Sequence, residues 1–438
     1  MMDKDVSRRT FVKSTAGAAA VAAIAAPTII PKRAFGANDK VQVAVLGMHG
    51  RGESHVDGYE KLDTAEVVTM CDPDLSVLRQ RSKQFGDKYD KKYKLEQDLR
   101  KVFEDKDIDA VSIATCNHWH ALATIWACQA GKDVYVEKPG SHNIFEGRKM
   151  VEAAEKYDRI VQHGVQLRSS KALQEVVQEM RNGIIGRVYM ARGLVFRWRG
   201  DVGNKGFSAP PADLDYDLWL GPAQYQPFSK DWVHYNWHWQ WAFGNGDVGN
   251  QGIHETDMCM WGLDVGLPTD VTAMGGKYLW DDAKETPELL SSIYNYPDEK
   301  KVIQFEVRPW ATNKEDGVKV GNIFYGDKGF VKVFGYNKYE VWQLAGKEKY
   351  EKVKEGSEGG DHYGNFIDAV KAHDKSMLNG PVETAHLSSG LAHLGNISYQ
   401  LGRQLKFDPN SEVFVNDPEA NKMLTRNYRA PFVVPEKV

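Results

Sequence analysis

A chain of 438 residues with 42% apolar and 26% charged residues has the balance of a soluble globular protein and enough length for two folding units. Its net charge of -4 offers no attraction to nucleic acid or to an anionic membrane surface, so those partners are excluded on electrostatic grounds. The first segment reads as a leader. Ser7-Arg8-Arg9-Thr10-Phe11-Val12-Lys13 matches the twin-arginine export motif, an alanine-rich apolar run covers 16–26, and small residues surround Ala34-Phe35-Gly36-Ala37. Residues 1–37 are therefore expected to be read by the twin-arginine export machinery, which delivers a folded protein to the periplasm or beyond. The alternative is a disordered basic tail. The apolar run is too short for a stable membrane span, and no second long one follows.

After the leader, Val41-Gln42-Val43-Ala44-Val45-Leu46 reads as a first buried strand running into Gly47-Met48-His49-Gly50-Arg51-Gly52, with a helix starting near Glu53. Glycines let a backbone turn tightly beside a pyrophosphate, and free N–H groups at a helix N-terminus bind it. Gly47 and Gly52 match the first and third glycines of a dinucleotide fingerprint. His49 stands at the second, with Gly50 and Arg51 beside it. A second strand, 65–71, ends at Asp72, 20 residues beyond Gly52. A carboxylate there accepts from ribose hydroxyls and repels a 2′-phosphate, which favours NAD over NADP, although Arg79 or Arg81 would rescue a phosphate. Asp72 also suits the N-cap of a helix starting near Leu75.

The alternation continues with a helix over 95–103, a strand over 110–114, a helix over 121–130 and the strand Asp133-Val134-Tyr135-Val136. Strands alternating with helices predict a parallel sheet and a nucleotide-binding unit over 38–160. Two loops fall at its carboxyl edge, where such sheets bind ligands. One holds Asn117, His118 and His120, which are candidates for cofactor contact, for capping the next helix, or for two metal ligands; no further ligands are in evidence and no metal is assigned. The other is Glu137-Lys138-Pro139, whose Lys138 is either a site amine beside a nicotinamide ring or a surface lysine in a turn. Cys71, Cys116, Cys128 and Cys259 lack metal-ligand spacing and read as buried thiols. Twelve tryptophans and nineteen tyrosines, many between Trp198 and Trp280, suit either sugar stacking or core packing.

Taken together, the Gly47 turn, Asp72, Asn117-His118-Trp119-His120-Ala121, Glu137-Lys138-Pro139, Gly164-Val165-Gln166-Leu167-Arg168-Ser169 and the stretch from Gly249 through His254 to Asp257 resemble the Gfo/Idh/MocA oxidoreductases. The likeness covers nearly the whole chain after the leader. It is strongest to an exported branch, on Asn236-Trp237-His238-Trp239 and Tyr428-Arg429. It implies an α/β fold, with an N-terminal Rossmann domain and a C-terminal α/β domain built on an open, mainly antiparallel sheet that often meets a partner subunit, hence a homo-oligomer. Residues 161–438 would form that second domain. β-like runs at 188–195, 293–296, 302–307, 322–325, 330–334 and 339–344 agree, with helices over 363–372 and 384–405 and a polar loop over 347–360.

The family pairs the lysine of its E-K-P motif with a histidine four residues after an acidic side chain. Here the lysine is Lys138 and the histidine His254, but the acidic position is Asn250. Asp257, at i+3, is a substitute support for the imidazole or a structural partner. The resemblance implies hydride transfer between nicotinamide and a secondary alcohol of a sugar or polyol. His254 would take the proton and Lys138 hold the oxygen, the two roles being interchangeable. Gln166, Arg168, Trp237 and His238 are candidates for gripping the sugar. Export implies a tightly held, internally recycled cofactor, either for coupled oxidation and reduction of two sugars or for a glycosidase that oxidises C3 transiently. His49 and Asn250 leave a third reading open, a sugar-binding homologue without catalysis.

Overall fold

The computed structural model describes Gly36, residues 39–310 and residues 313–438. Apart from Gly36, the leader expected over 1–37 lies outside the described residues. Strands β1 (Val41–Leu46), β2 (Ala65–Cys71), β3 (Lys94–Glu96), β4 (Ala110–Ile113), β5 (Asp133–Glu137) and β6 (Val161–Gly164) form one sheet in the order β3-β2-β1-β4-β5-β6. Every neighbouring pair is parallel. The sheet is covered on both faces, so β4 and β5 are buried at every position and carry no alternation. Strand order reverses beside β1, between β2 and β4, which opens a crevice at the carboxyl edge. The register aligns Leu46 with Ile113 and Ile113 with Val136, so the turns after β1, β4 and β5 open side by side.

A second sheet holds β7 (Val188–Phe196), β8 (Asp270–Gly276), β9 (Leu289–Tyr296), β10 (Lys301–Arg308), β11 (Val320–Gly326), β12 (Gly329–Phe334), β13 (Lys338–Gly346), β14 (Lys349–Ser357), β15 (Leu405–Asp408) and β16 (Val413–Phe414). Its order is β14-β13-β12-β11-β7-β10-β9-β8-β15-β16, antiparallel except where β7 runs parallel to β10. The helices Lys171–Arg181, Gly252–Leu263 and Val382–Leu401 pack against it around a core that includes Val176, Met258, Phe305, Phe324 and Leu391.

Three expectations shift. The polar stretch over 347–360 is mostly strand: β14 pairs with β13 after a turn at Glu348 (φ +58°). An edge strand wet on both faces buries no apolar side, and with only Tyr350 and Val353 among lysines and glutamates it shows no alternation and reads as loop. Leu95 lies on the edge strand β3; the helix placed over 95–103 starts at Leu99, capped by Asp98. The boundary placed at 160/161 falls inside the first unit, because β6 completes its sheet. The chain also returns there. Phe366, Ile367 and Val370 of the helix His362–Ala372 share a core with Val41, Val43 and Val45, and Phe432 and Val434 share one with Leu46 and Val111.

These cores bury neutral imidazoles. Burial pushes His118, His163 and His393 down to about 3 and His362 to about 4. In all, eleven of the thirteen histidines are lowered. An unfolded chain takes up these protons near pH 6.5 while the folded one does not. Their contribution is therefore full above pH 6.5 and drains away as pH falls toward 3–4. Four carboxyls raised by burial, Asp72, Asp133, Glu255 and Asp257, act with the opposite sign. Eleven outweigh four. The unfolding free energy should fall steadily from pH 7 to 4.5, by about 1.4 kcal/mol per pH unit for each uncompensated proton, and the thermal midpoint should fall with it. A flat profile would mean that the native histidines are already charged.

Candidate active site

The carboxyl edge of the parallel sheet and one wall of the second unit enclose a cleft of about 480 Å³. Its floor starts at the turn after β1. Gly47 has φ +89°, and a Cβ there would lie 2.6 Å from the Ala114 carbonyl oxygen; a Cβ on Gly52 would lie 1.9 Å from that of Gly47. Only glycine fits either place. Gly52 thus serves packing and does not line the cleft, whereas Gly47, His49, Gly50 and Arg51 do. His49, at the expected second glycine, holds an ordinary extended backbone and stacks on His234 from the second unit, with ring centroids 4.2 Å apart. His234 Nε2 lies 3.0 Å from Asp74 Oδ2.

Asp72 lines the cleft with both oxygens already held, one by the Met48 N–H at 2.8 Å and one by the Asp74 N–H at 3.0 Å. Burial, opposed by these bonds, pushes its carboxyl up to about 6. It is not the helix cap. Asp74 takes that role, accepting from the N–H groups of Ser76 and Val77. The glycine turn, the open N-terminus of the helix Gly50–Glu60 and a carboxylate at the end of β2 fit a dinucleotide.

Glu137, at the end of β5, is buried and accepts from Arg51 Nε at 2.7 Å and Gln166 Nε2 at 3.1 Å, with His55 Nε2 at 3.2 Å. Burial alone would raise its pKa, but the Arg51 charge and the His55 contact hold it well below the ordinary carboxylate value. Lys138 follows and donates from Nζ to the Asn250 carbonyl oxygen across the cleft. Burial lowers its pKa. His120 joins this floor, its two ring nitrogens 2.6 Å and 2.9 Å from the carbonyl oxygens of Pro139 and Thr115.

The opposite wall carries Asn250, Gln251 and His254 on the short helix Gly246–Asn250 and its continuation Gly252–Leu263. Asn250 Nδ2 and His254 Nδ1 are buried without a protein partner. Burial, then the Lys138 charge, depresses the His254 imidazole far below its usual value, so it is neutral. Its ring meets Tyr336 edge-on at 4.9 Å. Trp237 and His238 line the same wall, and His238 Nδ1 is likewise unpartnered.

Most of the residues singled out from the sequence do meet here, including Asn117, His120 and Gln166, although Gln166 is committed to Tyr135 and Glu137. Three do not. His118 is turned inward, with its ring nitrogens toward the Trp219 and Phe243 carbonyls. Arg168 and Asp257 form a two-point ion pair with each other, at 2.8 Å and 3.0 Å, and neither lines the cleft. Asp257 is therefore no support for His254. Of the aromatic stretch, Trp232 and Trp239 are core, while Trp219, Tyr235 and Trp237 reach the cleft. Arg197, Arg199, His234, Gln251 and Tyr336 were not anticipated. The two arginines carry the same signal in the sequence as Lys138, since both follow the carboxyl end of β7.

A two-domain, dinucleotide-binding architecture is thus in place, and the comparisons name its family. Residues 41–165 match the NAD-binding Rossmann fold of the Gfo/Idh/MocA oxidoreductase family, and residues 171–434 match that family's C-terminal alpha/beta domain. The chain belongs to the Gfo/Idh/MocA family. It is similar to a myo-inositol 2-dehydrogenase of Thermotoga maritima, 27% identical over 152 residues, which are 35% of this chain and 44% of that protein. A glycosyl hydrolase family 109 protein of Saccharopolyspora erythraea is 25% identical over 209 residues, 43% of this chain and 45% of the other. The chain thus spans less than half the length of these curated relatives. Among solved structures, the WlbA dehydrogenase of Bordetella pertussis, solved with NADH and UDP-GlcNAcA, shares the fold with a TM-score of 0.65 and 20% identity. That match covers 84% of this chain and 99% of the other.

Glu137→Gln should leave Arg51 without a counter-charge and remove the anion that holds up the Lys138 pKa. Denaturant titration should show a loss of about 1–3 kcal/mol, moderated by the partial exposure of Arg51. Acylation of Lys138, followed by peptide mass spectrometry, should set in at lower pH. If both stay as in the parent protein, the carboxylate has no such role.

Proposed function

We propose that the protein is an NAD-dependent oxidoreductase acting on a secondary alcohol of a sugar or polyol. The observation that carries this reading is the meeting, in one cleft, of an amine from the parallel sheet and a neutral imidazole from the second unit. Bound nicotinamide supplies the hydride acceptor or donor. Lys138 holds the substrate oxygen and steadies the negative charge that grows on it. His254, neutral and unpartnered at Nδ1, accepts the hydroxyl proton as the carbonyl forms and returns it in the reverse direction. Asn250 Nδ2 is a free donor for a neighbouring hydroxyl. NAD is preferred to NADP because Asp72 repels a 2′-phosphate and the nearby arginines are spent. Arg81 pairs with Glu53 at 2.5 Å and Arg79 with Asp213 at 3.3 Å.

Lys138→Met should lower turnover by about 10³-fold or more, and His254→Gln by about 10²-fold, with NAD affinity changed little. Because Lys138 works charged and its pKa is lowered, activity should fall on the alkaline side below pH 10.5. A rate that instead climbs through that region would make Lys138 the base. Turnover of Lys138→Met within tenfold of the parent would end the assignment. The likeness to the family 109 protein favours a second reading, glycoside cleavage with recycled cofactor. Release of the aglycone from an aryl glycoside, with no added NAD and no net NADH, would select it.

The paired arginines ahead of an alanine-rich stretch support export by the twin-arginine route. Replacing Arg8 and Arg9 by lysine should leave the protein in the cytoplasm on cell fractionation. Undiminished export would refute the route.

A further inference from the structure

The cleft has an uneven charge balance, which bears on the substrate of the reaction proposed above. Four cationic side chains line it: Arg51, Lys138, Arg197 and Arg199. Arg51 is neutralised by Glu137 at 2.7 Å, and Arg199 by a two-point pair with Asp247 at 3.1 Å and 2.7 Å. Lys138 donates to a backbone carbonyl. Arg197 makes one side-chain bond, from Nη1 to Gln251 Oε1 at 2.8 Å, and among the described residues no carboxylate comes within ion-pairing distance of it. The nearest acidic group along this network is Glu255, which accepts from Gln251 Nε2 at 3.1 Å. Burial pushes that carboxyl up to about 8, which reduces the negative charge it supplies near neutral pH.

The position of Arg197 ties it to the reacting end. Gln251 donates to the Tyr336 hydroxyl at 2.9 Å, and the Tyr336 ring packs on His254. Asp72, the other carboxylate of the lining, lies across the cleft at the end of β2. We propose that Arg197 is an anion-recognition residue and that the preferred substrate is an acidic sugar carrying a carboxylate, a uronate or its glycoside. With Nη1 held by Gln251, the Nε–Nη2 edge of the guanidinium remains for a planar two-point contact, the geometry that suits a carboxylate. The bond to Gln251 also fixes the side chain, so less rotamer freedom is lost on binding. With Lys138 committed to the reacting oxygen, Arg197 is the one cation left for a distal anion, and a single guanidinium matches a monoanion better than a phosphate dianion.

The test is calorimetric titration of the full-length protein, saturated with NAD, with methyl β-D-glucuronide, methyl β-D-glucoside and glucose 6-phosphate. The glucuronide should bind at least about tenfold tighter than the glucoside, as a charge-assisted two-point contact requires. Arg197→Gln should bring that ratio near one, and Arg197→Lys should restore part of it. Equal binding of the two glycosides by the parent protein, an Arg197→Gln variant that keeps the preference, or tightest binding by the phosphate would each overturn the proposal. So would a loss confined to NAD affinity. Absorbance at 340 nm separates this outcome from the reading beneath it. Reduction of NAD by the glucoside without any acid preference removes the substrate class and leaves the oxidoreductase standing. Acid-selective binding with no reduction by any sugar removes the oxidoreductase and leaves the anion site.

Discussion

The Glu137 carboxylate is the constraint on which the site depends. A charge buried this deeply costs several kcal/mol unless its lone pairs are filled, and the donors come from separate elements. Arg51 and His55 approach from the helix that follows the glycine turn, and Gln166 from beyond β6. Room is made at Gly164, where a Cβ would lie 2.8 Å from Glu137 Oε1. Satisfying one carboxylate thus fixes the helix that faces the nucleotide, the end of β5 and the strand beside it. Lys138 emerges from that clamp with its direction set.

The second unit completes the site by wrapping around the first, largely through backbone contacts. Leu75 N–H donates to the Asp213 carbonyl and Asp215 N–H to the Pro73 carbonyl, each at 2.9 Å, while Arg426 ties Glu146 to the carbonyls of His118 and Ala242. Residues 214–243 form their own small apolar core with Trp219, Trp232 and Phe243. This packing explains the fate of His118. Its loop does face a ligand crevice, but the side chain is used to seat the wrapping segment, and the cleft wall it would have formed comes from that segment instead.

Four of the six strands of the first sheet, β1, β2, β4 and β5, were legible, because apolar runs punctuated by glycine and proline leave few alternatives; the short edge strand β3 and the strand β6 were not. β1 and β2 appear where their residues placed them. Harder cases were those in which local pattern and tertiary role diverge. β14 hides as a charged loop because an exposed edge needs no apolar face. Spacing by i and i+3 allows Asp257 to support His254, but Arg168, distant in sequence, claims the carboxylate. Long-range pairing of this kind leaves no periodic trace. The same holds for His234, whose contact with His49 spans the two units.

Asn250 and His49, the two departures from the family pattern, look like losses when taken singly, and the surroundings give them a different meaning. The stack on His234 accommodates His49 with an unstrained backbone, and Gly50 keeps the approach open with nothing within 4 Å of its added Cβ. At Asn250 the amide removes a negative charge that would have raised the His254 pKa and offset Lys138. What remains is a neutral base, an amine and an unneutralised guanidinium, with an unpartnered amide donor in the same lining. An aspartate at that place would repel a carboxylate-bearing sugar; an asparagine can donate to it. The asparagine and the free arginine then act in the same electrostatic direction, Arg197 through its bond to Gln251 and Asn250 through an amide that no protein group occupies.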